Sequence, residues 1–299
     1  MSVVVYRPAR AQELAQAEEL VASSINELTQ RHGFGQMASV RPPHFQLFSL
    51  KDDPEGLWVA EDRGRILGFA FSWVCGGLWF LAELFVAPGE QGRGVGNELL
   101  KRCMEHGRKA EAREKALITF AFNTVSQGLY IRHGLYPRTP LYLLSAPREA
   151  WQPRSQAAPL EVVRLDMSHL PAIEAIDARA LGISREKHHR YLIAESGLKG
   201  LLFREGGERV GYAYISPEGH VGPLAVSRPN AIAAAFGAAL RCAAEDGAAQ
   251  ISALVPGVGE AALGLAVDHG MRISFPMMLM SSRAFGDWTC YLPRNPGFM

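Results

Sequence analysis

Gly68-Phe69-Ala70-Phe71 recurs later in the chain as Gly211-Tyr212-Ala213-Tyr214. Gly128-Leu129-Tyr130-Ile131-Arg132-His133-Gly134-Leu135 recurs as Gly264-Leu265-Ala266-Val267-Asp268-His269-Gly270-Met271. Tyr6-Arg7 stands before one helical pattern as Val163-Arg164 stands before another. The landmarks keep their order while their spacing shrinks, which is what two copies of one plan show when the second has shorter loops. A chain of 299 residues has room for two domains of ordinary size. The repeat therefore predicts a first domain over residues 1–146, a linker over 147–159, a second domain over 160–285 and a tail over 286–299. The linker holds Pro147, Pro153 and Pro159 and little large apolar surface besides Trp151. The tail carries Trp288, Tyr291 and Phe298, apolar enough to dock on a surface; a frayed end is the alternative.

Within the first copy the pattern predicts a strand at 3–7 and an amphipathic helix at about 11–31, from Leu14, Val21, Ile25 and Leu28. Residues 33–54 read as irregular. Strands follow at 58–61 and 65–74 around the turn Asp62-Arg63-Gly64, then at 79–86. A helix at 97–112 turns Leu99, Leu100, Cys103 and Met104 inward. A strand at 117–122, a short helix at 125–133 and a strand at 141–145 complete the copy. Strands that first meander and then alternate with helices make an α/β fold with a mixed sheet.

Hydrophobic residues at 48% and charged residues at 20% are globular composition. A net charge of +1 without a run of like charge gives no footprint for nucleic acid or a membrane surface. No apolar stretch is long enough to span a bilayer, and Met1 to Arg7 lacks the features of a secretion signal. Cys75, Cys103, Cys242 and Cys290 are far apart without metal-ligand spacing, which reads as reduced thiols in a cytoplasmic protein. His188, His189 and His220 have no carboxylate cluster beside them in sequence, so no metal site is predicted. Met277, Met278 and Met280 read as core.

The strongest local signal is Leu84-Phe85-Val86-Ala87-Pro88, then Gln91-Gly92-Arg93-Gly94-Val95-Gly96, then a helix. Glycines there let the backbone turn tightly and approach a ligand. Successive N–H groups with the positive end of a helix behind them cradle phosphate, and Arg93 can add a charge-assisted contact. A dinucleotide fingerprint would need glycine where Asn97 stands, and a Walker loop would need Gly-Lys-Ser/Thr.

Over residues 3–145 the chain resembles the GNAT superfamily of N-acetyltransferases. Gln91, Gly92, Gly94 and Gly96 lie on the family's cofactor motif, after Val86 and Pro88; Asn123, Tyr130 and Gly134-Leu135 lie on a second motif, with Leu135 where Phe is commoner. The resemblance implies two tandem GNAT-like domains, each a central mixed sheet flanked by helices. It implies transfer of an acetyl group from acetyl-coenzyme A to a primary amine, by direct attack in a ternary complex and without a metal. Leu84, Phe85, Val86, Gln91, Gly92, Arg93, Gly94, Val95, Gly96, Asn123 and Tyr130 would bind the cofactor. Main-chain groups of Leu84 to Val86 would pair with the pantetheine arm, and Tyr130 would serve the departing thiolate. Glu83 is placed where relatives carry a base that acts directly or through water; a strand-end carboxylate paired with an arginine is the other reading. The acceptor is a small molecule or a peptide, with Trp73, Trp79, Phe34 and His44 as candidate lining and residues 33–53 as a candidate lid. The alternative to an enzyme is a non-catalytic acyl-coenzyme A sensor.

The second copy departs at each of these points. Ungapped alignment of Val226 with Val86 sets Pro223 opposite Glu83, and Ile232, Ala234 and Phe236 opposite the three glycines. Ala266 falls opposite Tyr130. The second copy is thus expected to be a GNAT-like domain without catalysis.

Overall fold

The computed structural model describes residues 4–151, 160–194 and 197–299. Contacts divide the chain into two compact units, Met1–Leu117 with Ile131–His133, and Ile118–Tyr130 with Gly134–Met299.

The first unit begins with β1 (Val5–Pro8), a 3-10 turn, α1 (Leu14–Arg31) and α2 (His44–Asp52). It continues with β2 (Leu57–Asp62), β3 (Arg65–Cys75), β4 (Leu78–Val86), α3 (Val95–Lys109) and β5 (Glu114–Phe120), whose end passes into the second unit. The strands lie in the order β1-β2-β3-β4-β5. All pair antiparallel except β4 with β5, which is parallel. Leu78, Trp79, Phe80 and Leu81 are all buried, so both faces of β4 are covered at its start. α1 turns Leu14, Ala17, Val21 and Ala22 inward; of the stripe read from sequence, Leu14 and Val21 are buried while Ile25 and Leu28 are half-buried. α3 buries Val95, Leu99, Leu100 and Cys103.

Four elements differ from the sequence expectation, β5 by beginning at Glu114 and ending at Phe120 rather than spanning 117–122. α2 occupies part of the stretch read as irregular; Phe45, Leu47, Phe48 and Leu50 do not form one stripe, so periodicity does not reveal it. α3 starts at Val95, which puts Gly96 inside its first turn, where a glycine reads as loop. The strand expected at 141–145 runs from Tyr136 to Pro147, because Pro137 and Pro140 read as breakers but sit in a paired strand.

The second unit holds α4 (Thr124–Arg132, up to Tyr130), β6 (Tyr136–Pro147) and β7 (Glu161–Arg164). Then come α5 (Leu170–Ala180), α6 (Glu186–Ala194), β8 (Lys199–Glu205), β9 (Glu208–Ile215) and β10 (His220–Val226). α7 (Ile232–Glu245), β11 (Gln250–Pro256), α8 (Glu260–Asp268), β12 (Arg272–Ser281) and β13 (Tyr291–Leu292) complete it. The strand order is β12-β6-β11-β10-β9-β8-β7, with β13 beside β10. β10 and β11 form a parallel pair.

The repeat is visible in the registers. Gly68 pairs with Val86 as Gly211 pairs with Val226. Beyond the strand, Ala87 N donates to Leu67 O at 2.8 Å, and Ser227 N donates to Val210 O at 2.9 Å. Leu135 N donates to Tyr130 O past Gly134, and Met271 N donates to Ala266 O past Gly270; both glycines have positive φ, 78° and 88°.

The copies and the compact units divide the chain differently. β6 closes the first copy in sequence, yet it pairs with β11 along Gln250–Pro256 and with β12 along Arg272–Ser281. β12, which closes the second copy, lies beside the end of β5, where Ala121 N donates to Pro276 O and Phe120, Phe122 and Phe275 pack ring to ring. The last strands of the two copies are exchanged. Most of the expected linker, residues 152–159, lies outside the described residues, as does Val3 at the start of the first strand. The tail is built into the second unit: Tyr291, Leu292, Phe298 and Met299 are buried. Among the described residues no helix is long and apolar enough to cross a membrane.

Candidate active site

β4 pairs with β5 only along Leu78–Leu81. Past a bulge opposite Phe71 and Ser72, residues Glu83, Leu84, Phe85 and Val86 keep β3 on one side. Leu84 to Val86 are half-buried, and among the described residues no strand covers their other edge. This is an open strand edge, whose main-chain groups can pair with an extended ligand.

The glycine loop continues from that edge. Gln91 Nε2 donates to Val86 O at 3.1 Å and anchors the loop to the strand. Gly92 and Gly94 have φ of 77° and 85°, a conformation other residues rarely adopt, and a Cβ at either would meet nothing within 4 Å. Gly94 is the N-cap of α3 and offers no side chain to the helix start. The first helical bond is Glu98 N to Gly94 O, so the N–H groups of Val95, Gly96 and Asn97 have no partner within the helix. Open space in front of free N–H groups and a helix's positive end fits a pyrophosphate. Arg93 does not stand alone: it pairs with Glu90, which also accepts from Arg65 at 2.5 Å. Two arginines around one carboxylate leave a net positive charge beside the loop. Asn97 is steadied by His133, Nε2 to Oδ1 at 2.9 Å.

Upstream on β4, Glu83 is held by an amide rather than an arginine. Gln46 Nε2 donates to Glu83 Oε1 at 2.9 Å and to Glu18 Oε1 at 2.7 Å. Glu83 Oε2 is shielded from solvent with no hydrogen-bond partner. Burial first, and then the neighbouring Glu18 carboxylate, push the Glu83 carboxyl up to about 8, against the opposing Gln46 hydrogen bond. Burial also raises Glu18, while Arg41 lowers it. The ring of Phe45 packs edge-on to Phe71, the residue paired with Glu83. Glu18 and Gln46 are absent from the sequence reading. A polar residue facing inward on each of two helices is their signal, and α2 was not visible as a helix.

Asn123 and Tyr130 belong to the second unit. Asn123 caps α4: Oδ1 accepts from Ser126 N at 3.2 Å, and Nδ2 donates to Ser126 Oγ at 2.8 Å. The buried Tyr130 hydroxyl meets Ser126 and Thr119; burial raises its pKa against both hydrogen bonds. Ser126, which the sequence reading missed, thus links the two motif residues. It lies one helical turn from each.

Other candidates resolve into structure. Trp73 stacks on Phe80 and Trp79 packs against Gly107; both are buried, so neither lines an acceptor site. Phe34 and His44 are exposed. Ser72, His106 and Asp53 form a hydrogen-bonded row at 3.0 and 2.7 Å, but Ser72 is fully buried, and the row ties α2 and β3 to α3. Cys103 is buried, which pushes its thiol up to about 12 and leaves it no nucleophile. Among the described residues no group of three His, Cys, Asp or Glu side chains could hold a metal ion.

The second copy lacks the loop rather than crowding it. A 3-10 turn at Pro88–Glu90 is followed by Gln91–Gly94 and then α3; the matching turn at Pro229–Ala231 runs straight into α7. The inward faces match when Val95, Leu99, Cys103 and His106 are set on Ile232, Phe236, Leu240 and Ala243. This corrects the ungapped pairing of Ile232, Ala234 and Phe236 with the glycines: Gln91 to Gly94 have no counterpart.

Residues 22–135 match the family model described as acetyltransferase (GNAT) family. Among solved structures, a candidate acetyltransferase of Pyrococcus horikoshii superposes with a TM-score of 0.77 at 18% identity, covering 99% of this chain and 96% of that one. A GCN5-related N-acetyltransferase from Sphaerobacter thermophilus gives 0.66 at 17% identity, over 96% and 98%. A tandem GNAT protein from the clavulanic acid biosynthesis pathway gives 0.59 at 14%, over 95% and 98%. No curated protein matches the chain. With the glycine loop and the open strand edge in place, residues 22–135 match the acetyltransferase (GNAT) family, and the chain as a whole shares the fold of these solved structures.

Proposed function

We propose that this protein is an N-acetyltransferase that moves an acetyl group from acetyl-coenzyme A to a primary amine, by direct attack in a ternary complex. The observation that carries the reading is one continuous run of the first unit. A buried carboxyl at Glu83 leads into the open edge Leu84–Val86, then into the positive-φ glycines, then into the unpaired N–H groups of α3. The loop amides from Gly92 to Gly96 and Arg93 would hold the pyrophosphate, with Gln91 fixing the loop to the strand. Main-chain groups of Leu84, Phe85 and Val86 would pair with the pantetheine arm, and Asn123 would add a contact to it. The acyl donor supplies an activated thioester carbonyl.

The amine's lone pair forms the C–N bond as the C–S bond breaks. Glu83 takes the amine's proton, directly or through water. An ordinary glutamate lies about six pKa units below an alkylamine; with Glu83 at about 8, the gap narrows to roughly two or three. Each unit is worth about 1.4 kcal/mol, so burial makes Glu83 a far better acceptor for that proton. Tyr130, kept protonated by its burial, donates to the departing thiolate. The second copy, lacking the loop and any carboxylate at Pro223, is assigned no catalysis.

Calorimetric titration with acetyl-coenzyme A tests the reading. One site per chain is expected, lost in Gly94→Val, followed by release of free thiol in a screen of primary amines. No binding overturns the proposal. Tight binding with no turnover across the screen overturns the enzyme and leaves an acyl-coenzyme A sensor.

A further inference from the structure

β10 is the counterpart of β4, by the shared glycine register and the shared hydrogen bond just past each strand. Both strands carry a bulge, between Phe71 and Ser72 on the partner of β4 and between Val221 and Leu224 on β10. Both pair with the following parallel strand only at their start, β10 doing so at His220 and Val221. Leu224, Ala225 and Val226 therefore stand where Leu84, Phe85 and Val86 stand in the first copy.

In the second copy that edge is taken. β13 pairs with it antiparallel, Leu292 opposite Leu224 and Tyr291 opposite Ala225. Val226 N donates to Cys290 O at 2.9 Å. The consequence for exposure is plain: Leu84 to Val86 are half-buried, whereas Leu224, Ala225 and Val226 are each 0% exposed.

The surroundings are shaped for this segment. A Cβ on Gly222 would lie 2.7 Å from Pro293 O and 3.0 Å from Arg294 Cα, so only glycine admits the tail there; the register sets Ala82 at the same place in the first copy. His220 Nε2 donates to Arg294 O. Asp287 N donates to Ala180 O at 2.6 Å. The fully buried Arg185 donates to the Tyr291 hydroxyl and to Met299 O, and the His188 ring lies 4.9 Å from that of Phe298.

Beside the tail, a hydrogen-bonded polar cluster stands in place of the Glu18 and Glu83 carboxyl pair of the first copy. Asp177 on α5 accepts from Tyr212 at 2.5 Å and from His189 on α6 at 2.8 Å, and the Tyr214 hydroxyl is hydrogen-bonded to the other His189 nitrogen at 3.0 Å. In the first copy the corresponding helices α1 and α2 carry Glu18 and Gln46. All of the second-copy groups are buried and hydrogen-bonded to one another.

We propose that residues 290–292 are the resident ligand of the second copy's strand edge: the chain's own tail, as extended peptide, holds on β10 the place that the acyl-coenzyme A arm takes on β4. The inference rests on the arm-binding reading of Leu84 to Val86 given above. It assigns the second cleft a peptide-backbone ligand and removes it as a second acyl-coenzyme A site.

Amide hydrogen exchange on the full chain, with and without saturating acetyl-coenzyme A, separates the two readings. Amides of 224–226 and 290–292 are expected to exchange slowly in the free protein and to stay unchanged on addition, while those of 84–86 slow about tenfold or more. A change at 224–226, or faster exchange of 290–292, on adding acetyl-coenzyme A means that the arm displaces the tail and overturns the proposal. No change at 84–86 in a protein that binds acetyl-coenzyme A overturns the arm reading instead. A second measurement reads the tail directly. A protease site placed over 283–286 is cut after folding, and labelled peptide 287–299 is added. Saturable uptake of that peptide, with none of a scrambled one, supports the proposal. Loss of the cut segment with 224–226 still exchanging slowly overturns it.

Discussion

Gln46 Nε2 stands 2.9 Å from Glu83 Oε1, and this hydrogen bond opposes the burial that raises the Glu83 carboxyl to about 8. The free protein therefore carries Glu83 mostly protonated at neutral pH. With Glu83 as the base, kcat/KM for an acceptor is expected to rise with pH through a midpoint near 8. Gln46→Leu removes the donor that favours the ionised form, so the midpoint moves further up. Glu83→Gln should lower kcat by about 10²–10⁴ with acetyl-coenzyme A binding retained. The pH profiles of the three proteins decide this; a midpoint that stays put or falls in Gln46→Leu is the contrary result.

The same carboxyl makes stability depend on pH with a definite sign. In the unfolded chain a glutamate ionises at about 4.3, and in the folded chain Glu83 does so at about 8. The folded state thus holds a proton that the unfolded state has released. The contribution is fully present below about pH 4.3 and is lost as pH rises through about 8. Glu83→Gln has no charge to bury, so it should gain on the wild type between pH 5 and 9, by on the order of a few kcal/mol. Urea midpoints of both proteins at the two pH values test it. Parallel behaviour would show that Glu83 ionises in an ordinary environment.

Much of the local geometry of the candidate site was legible in sequence because it rests on local chemistry. The glycines at 92 and 94 announce positive φ, and Gly68 and Gly211 mark one register in two strands. What sequence could not supply depends on contacts between distant residues. Gln46 meets Glu83 only because α2, with no apolar stripe, folds over β4. The exchange of β6 and β12 leaves each strand's own pattern untouched, so nothing local reports it. The short β13 reads as tail until β10 is seen beside it. The missing loop of the second copy was hidden by an alignment without gaps, which turned an absence into three substitutions.

Tyr130 is raised by burial and therefore keeps its proton over the working range, as a donor to a departing thiolate must. Tyr130→Phe is expected to lower kcat by about 10² while changing acetyl-coenzyme A affinity by less than about threefold, the pattern of an interaction made mainly in the transition state. Ser126→Ala removes the acceptor of Asn123 Nδ2 and a partner of Tyr130 at once, so it should weaken cofactor binding and turnover together. Stopped-flow binding and steady-state rates separate the two. Equal losses of affinity and turnover in Tyr130→Phe would count against its role at the thiolate.

Arg93 gives the last expectation, because its ion pair makes two outcomes distinguishable. Glu90 binds both Arg65 and Arg93 and is itself nearly buried, whereas Arg93 is more than half exposed. An exposed arginine in such a pair contributes little to stability. Its value lies in adding positive charge beside the Gly94 loop, where phosphates would arrive. Arg93→Gln should leave the unfolding midpoint nearly unchanged and weaken acetyl-coenzyme A several-fold at low salt, with the difference shrinking as salt rises. Glu90→Gln leaves the two arginines without their carboxylate and adds one net positive charge. If attraction to phosphate dominates, it tightens binding at low salt and steepens the salt dependence. If Glu90 matters chiefly by aiming Arg93, the same variant weakens binding at every salt concentration. Titrations of both variants at two ionic strengths distinguish these, and an Arg93→Gln protein that binds as wild type at low salt would remove Arg93 from the cofactor loop.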